Sequence, residues 1–171
     1  MSVRPILIWP SAKLSTPSKD VPVEDFGTAA LQVVVSDLHE TLEHAGGLGL
    51  SAIQVGIPYR VFVTNIYGEK HTYVNPVVMS TFGTPVPFAE GCLSVPGVFE
   101  TVDRFNEIIV SSKSVEGEDE LRQLDDVEAQ CVAHEIDHLD GVMFVDRFGR
   151  VKKDIIKRKV AKALREARRA R

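Results

Sequence analysis

A chain of 171 residues, 44% apolar and 26% charged, can bury one core and is too ordinary in composition for a disordered, collagen-like or disulfide-framework protein. No apolar run approaches the ~20 residues of a membrane span, and Met1–Trp9, with one positive charge and no long apolar run, makes a poor signal peptide. The net charge of −4 conceals an asymmetry: residues 151–171 carry ten Lys or Arg against Asp154 and Glu166, a local +8 that suits a polyanionic partner.

Pro5, Pro10, Pro17 and Pro22 predict an extended opening segment, since proline costs about 3 kcal/mol inside a helix. From about Asp25 to His44 the apolar positions Leu31, Val34, Val35, Leu38 and Leu42 recur at helical spacing, and Ala45-Gly46-Gly47 ends that helix. Arg60 to Tyr67 reads as a strand, Gly68-Glu69 as a turn, and Thr72 to Met79 as a second strand interrupted by Pro76. Short strands are expected near Phe99–Thr101, Glu107–Ser112 and Leu121–Leu124. Asp125 with Glu128 has the form of a capping box that opens a helix through Val127, Cys131, Val132 and Leu139, ending near Gly141. Ile155, Ile156, Val160, Ala163 and Leu164 define a last, basic amphipathic helix, packed on the body by its apolar positions. Helix, strands, helix, helix is an α+β order.

The sharpest chemical signal is His134-Glu135-Ile136-Asp137-His138. On a helix, residues i and i+4 share a face, so two imidazoles can hold one metal ion while the carboxylate beside the first takes a proton from water. A catalytic metal usually has a third protein ligand. The metzincin extension fails because Phe144 stands where its third His belongs, and Glu166, the only later Glu, sits in the basic tail. His39 and His44 read as solvated or core-edge residues of the first helix, and His71 as a surface residue after a turn. Cys92, in Glu90-Gly91-Cys92-Leu93-Ser94, is the better third ligand; a thiolate with two imidazoles suits Zn²⁺, Fe²⁺, Co²⁺ or Ni²⁺. Cys131, three residues before His134, reads as an apolar wall residue rather than a ligand. Two cysteines in a chain of this length fit a reducing, cytoplasmic setting. Gly47-Leu48-Gly49-Leu50-Ser51-Ala52-Ile53-Gln54 lacks the features of a phosphate loop, and Gln54 offers a neutral N–H donor suited to an oxyanion.

Together, the segments 47–54, 90–94 and 134–138 resemble the three ordered motifs of the peptide deformylase family: Gly-Φ-Gly-Φ-Ala-Ala-x-Gln, Glu-Gly-Cys-Leu-Ser and His-Glu-x-Asp-His. The resemblance covers essentially the whole chain and is to the common bacterial type. It implies a metallohydrolase that removes the formyl group from the N-terminal formyl-methionine of nascent polypeptides. It implies an α+β fold with antiparallel strands around a central metal-binding helix, flanked by N-terminal and C-terminal helices. Residues 1–150 are then the deformylase catalytic domain, and 151–171 a basic helix of the same single domain.

By the same resemblance Cys92, His134 and His138 are the metal ligands and Glu135 is the general acid/base. The Gln54 amide and the Leu93 N–H form the oxyanion site, and Leu48, Gly49 and Gly91 hold the substrate backbone extended. The family metal is usually Fe²⁺, with Zn²⁺, Ni²⁺ or Co²⁺ replacing it in purified protein. A thiolate ligand leaves such a centre at net +1, so Glu135 has to supply more of the deprotonation. The methionine side chain is expected in an apolar pocket involving Leu48, Val127 and Cys131, with Glu90, paired with Arg104, and Asp137 as supporting acids. The partner implied for the basic helix is the ribosome, with rRNA phosphates as its contact; neither membrane nor DNA is expected.

Four positions depart from the family pattern: Ser51 for the first Ala of the first motif, Ala133 for a Gln, Gln130 for an apolar pocket residue and Phe99 for an Arg. Two rival readings use the same helix. A peptide-bond metalloprotease needs a third His or Glu ligand, and a non-catalytic, ribosome-binding protein with a structural metal needs a fourth ligand such as Cys131.

Overall fold

The prolines keep the opening segment free of α-helix, leaving only short 3₁₀ turns at Ala12–Ser15 and Val23–Asp25. In the computed structural model, which describes residues 2–169, α1 (Ala29–Ala45) begins later than the spacing predicts. Gly27, at φ 71°, breaks the chain after the 3₁₀ turn, and the Thr28 hydroxyl then accepts from the Leu31 N–H as the cap. Gly46 closes α1 in the left-handed conformation, as expected of a glycine after the last apolar turn.

Seven strands follow: β1 (Gly49–Ser51), β2 (Val61–Ile66), β3 (Glu69–Phe82), β4 (Val86–Gly91), β5 (Phe99–Arg104), β6 (Glu107–Lys113) and β7 (Asp119–Asp125). They form an antiparallel five-stranded sheet, ordered β1-β2-β3-β6-β7, and a separate β4–β5 ribbon. Pro76 does not end β3. It sits in a bulge between Val74 and Val77, where Asn75 turns to positive φ and its side chain pairs with both backbone groups of Val21. The strands β1 and β4 lack the alternation that would reveal them in the sequence: β1 is three residues long and β4 contains a proline.

The central helix α2 (Asp126–Leu139) has Asp125 at its cap position, but the expected capping box does not form. Asp125 makes no side-chain cap bond, and Glu128 instead pairs with Arg122 of β7 at 2.9 Å. Alternate residues of β2 face opposite ways. Val61 and Val63 pack with Leu31, Leu38 and Leu42 of α1, whereas Phe62 packs with Val132, Ile136 and Leu139 of α2. The sheet therefore lies between α1 and α2 at its β1–β3 end.

A third core holds the β4–β5 ribbon. Val95, Val98 and Val102 pack with Leu14, Met143, Phe144 and with Ile156 and Val160 of α3 (Arg150–Arg169), and Cys92 leans on this cluster. Residues 170 and 171 of the predicted basic segment, and Met1, lie outside the described residues. Ile155, expected on the packed face of α3, is 43% exposed, because Ile156 takes the inward position and neighbours on a helix point about 100° apart. Ile156→Ala should therefore destabilise the fold by about 2–5 kcal/mol and Ile155→Ala by less than about 0.5 kcal/mol in urea unfolding; equal effects would contradict this packing.

Candidate active site

While Ala129, Val132, Ile136 and Leu139 anchor α2 on the sheet, its opposite face carries Cys131, His134, Glu135 and His138, all buried. The His134 and His138 rings lie 4.7 Å apart and nearly perpendicular. The turn after β4 brings the Cys92 sulfur to 3.2 Å from His138 Nε2. One ligand atom each from Cys92, His134 and His138 lies within 4.8 Å of the others. Cys131 stands outside that group among the described residues, and burial pushes its thiol well up.

The surroundings prepare these groups for a cation. Glu90 Oε2 lies 2.7 Å from His134 Nδ1. Burial alone would raise the Glu90 carboxyl, but hydrogen bonds from His134 and Arg104 bring it down to about 2. Glu90 is thus an ionised acceptor that holds Nδ1 as a donor; against the effect of burial, the Cys92 and Glu90 partners raise His134 well above its ordinary value, so a cation bound here would take the place of the Nε2 proton. Burial also drives His138 well below its ordinary value, with the His134 and Arg104 charges adding to it, so its imidazole is neutral. A thiol and two imidazoles in this arrangement fit a divalent cation of the Zn²⁺ or Fe²⁺ kind.

The Glu90–Arg104 pair expected from the sequence is present and buried, with Arg104 Nη2 donating to Glu90 Oε2 at 3.2 Å in addition to its Nε bond. Arg104 also reaches Asp137 Oδ2 at 2.8 Å, and Asp137 takes a second arginine, Arg147, at 2.7 Å.

Glu135 is 3% exposed, and burial holds its carboxyl above the usual range. Its Oε2 accepts from the Ser51 hydroxyl at 2.6 Å, a contact the sequence reading missed. Gln54 Oε1 accepts from the Ser51 N–H at 2.8 Å, which aims Nε2 toward Ser94 Oγ (3.1 Å) and Cys92 Sγ (3.6 Å).

A cavity of about 400 Å³ opens onto these groups. Leu48, Gly49, Gly91 and Leu93 line it as expected, and Cys131 forms part of its wall. Val127 does not line it; α2 contributes Cys131, His134 and Glu135, and the apolar wall comes instead from Phe88 of β4 and Val98 just before β5. Phe99, 74% exposed, lies at the rim with its ring over Gly91, where a Cβ would stand 2.5 Å from the ring edge. Gln130 is buried away from the cavity and donates to Asn106 Oδ1 at 2.9 Å. Phe144, in the place of a metzincin ligand, is a core residue with its ring 6.0 Å from that of His134.

The model of the polypeptide deformylase family matches residues 3–154. A peptide deformylase of Bartonella tribocorum is 38% identical over 97% of this chain and 96% of its own length. The crystal structure of a peptide deformylase from Legionella pneumophila superposes with a TM-score of 0.92 at 34% identity, covering 98% of this chain and 99% of that one. A Met-Ala-Ser-bound peptide deformylase from Acinetobacter baumannii superposes at 0.83 with 26% identity, over 86% of this chain and all of that one. The chain accordingly belongs to the polypeptide deformylase family, metal-dependent hydrolases that remove the formyl group from the N-terminal formyl-methionine of nascent polypeptides and release formate.

Proposed function

We propose that the chain performs this hydrolysis with Cys92, His134 and His138 holding the cation, Glu135 moving the proton, and Gln54 with Leu93 stabilising the developing charge. The observation that carries the reading is the meeting of the Cys92 sulfur with two imidazoles one helical turn apart. A divalent cation bound there would supply the Lewis acidity that makes water a competent nucleophile near neutral pH. Fe²⁺ is proposed as the ion in the cell, with Zn²⁺, Ni²⁺ or Co²⁺ able to replace it in purified protein.

Glu135 takes a proton from the attacking water and gives it to the departing amine nitrogen. The Gln54 Nε2–H and the Leu93 N–H donate to the formyl oxygen as it gains charge; losing one such donor typically costs about 2.7–4 kcal/mol. The substrate backbone runs extended past Leu48, Gly49 and Gly91. Two features support this course: β1 is an edge strand of its sheet, and among the described residues β4 pairs with β5 alone. The methionine side chain enters the cavity between Leu48, Phe88, Val98 and Cys131.

The position of Phe144 and the absence of Cys131 from the ligand group tell against the protease and structural-metal readings. Residues 1–150 and 151–171 are read as one domain, supported by Ile156 and Val160 in the core beneath the β4–β5 ribbon. The exposed cations of α3 are proposed to meet rRNA phosphates at the ribosome, in the cytoplasm. Among the described residues no helix is long and apolar enough to cross a membrane.

In an anaerobic assay with metal analysis, formyl-Met-Ala-Ser should release formate with one metal bound per chain, and acetyl-Met-Ala-Ser should react roughly 10- to 200-fold more slowly because its extra methyl has no room. Equal rates would remove the tight formyl pocket, and internal cleavage of unblocked peptides would favour a protease. Glu90→Gln should weaken metal binding roughly 10- to 100-fold in chelator competition, because His134 loses its carboxylate partner; unchanged affinity would reduce Glu90 to a structural staple. Exchanging Lys157, Arg158 and Arg165 for Glu should weaken ribosome binding and flatten its salt dependence while sparing short-peptide turnover. Unaltered binding at low salt would dismiss the ribosome contact.

A further inference from the structure

Strand β1 presents two residues, 49 and 51, to the same side, as alternation along a strand requires. Both meet Glu135. A Cβ at Gly49 would lie 2.6 Å from Glu135 Oε1 and 2.8 Å from its Cγ, so only glycine leaves room for the carboxylate there. Two residues on, the fully buried Ser51 places its hydroxyl 2.6 Å from Glu135 Oε2. That is the one hydrogen bond the Glu135 carboxylate makes among the described residues, and the same hydroxyl lies 3.1 Å from the Glu135 backbone carbonyl.

We propose that Ser51 is a positioning residue for the proton-transfer step: its hydroxyl pins Oε2 and leaves Oε1, held against Gly49, as the oxygen that exchanges the proton. The inference rests on the reading of Glu135 as the general base. A buried carboxylate with no donor would lose a well-defined orientation as well as a hydrogen bond. The backbone of Ser51 also donates to Gln54 Oε1, so one residue registers the base and the oxyanion donor against each other. Replacing the side chain leaves that backbone bond in place; it also removes the hydroxyl's 3.1 Å contact with the Glu135 carbonyl and its capping-box contact with the Gln54 backbone, whose loss the thermal midpoint reads.

The test compares Ser51→Ala, Ser51→Cys, Glu135→Ala and the Ser51→Ala/Glu135→Ala double variant on formyl-Met-Ala-Ser, with metal content and thermal midpoint measured on the same preparations. Cysteine fills the space of serine with a much weaker donor, which separates the hydrogen bond from packing. Both Ser51 variants should lose roughly 10- to 100-fold in kcat with KM within about twofold and one metal still bound. On the Glu135→Ala background, Ser51→Ala should change the residual rate by less than about twofold, because the hydroxyl's other contacts, with the Glu135 backbone carbonyl at 3.1 Å and with the Gln54 backbone in a capping box, do not touch the reacting proton. A full kcat in either folded Ser51 variant, or an equal loss on the Glu135→Ala background, would overturn the role of Ser51. Full activity of Glu135→Ala would instead overturn the reading of Glu135 on which it rests.

Discussion

The site depends on a single buried carboxylate that joins three segments distant in sequence. Glu90 stands next to last in β4, Arg104 ends β5, and His134 lies within α2; one oxygen of Glu90 takes the Arg104 Nε and the other the His134 Nδ1. Its partners make the ionised form the stable one even in a dry setting. Cys92 follows Glu90 by two residues, so the same contact fixes the chain just before the sulfur. The sign of the linkage is clear: a carboxyl depressed on folding stabilises the fold above the ordinary carboxylate range, and that contribution is lost as pH falls toward about 2. Arg104 extends the network to Asp137 and on to Arg147, so the metal-facing turn of α2 is held by charges on the side away from the sheet.

Around this anchor the labour is divided by element. The helix supplies both imidazoles and Glu135, and the β4–β5 ribbon with its connecting turn supplies the sulfur and most of the apolar wall. Strand β1 brings glycine and serine up to Glu135, while the 3₁₀ turn that follows carries Gln54. Each element is backed by its own apolar cluster, which is why short strands with poor intrinsic propensity can hold reacting groups in place.

Most of the site was legible because its residues are confined to three short segments whose chemistry is rare in combination. The pair His134 and His138 announces itself by helical spacing, and Cys92 by a glycine-flanked turn. What stayed hidden depended on the third dimension. The hydroxyl of Ser51 is local chemistry, but its partner is 84 residues away. Phe88 and Val98, which line the cavity, lie on β4 and just before β5, where no clean alternation marks them, whereas Val127, expected in the apolar pocket, does not line it. The helices were found within a few residues: α1 starts late because a 3₁₀ turn and Gly27 precede Thr28, whereas α2 starts after the expected cap residue Asp125 even though Glu128 pairs with Arg122 instead of closing the capping box. Ile155 and Ile156 were indistinguishable until the core beneath α3 was known.

The central claim is that one sulfur and two imidazole nitrogens share a cation. X-ray absorption at the metal edge of anaerobically purified protein tests it most directly. A single sulfur scatterer at about 2.3 Å with two imidazole shells near 2.0–2.1 Å, the sulfur vanishing in Cys92→Ser, is the expected spectrum for zinc-loaded protein. A first shell without sulfur, or with two sulfurs drawn from Cys92 and Cys131, would contradict the account.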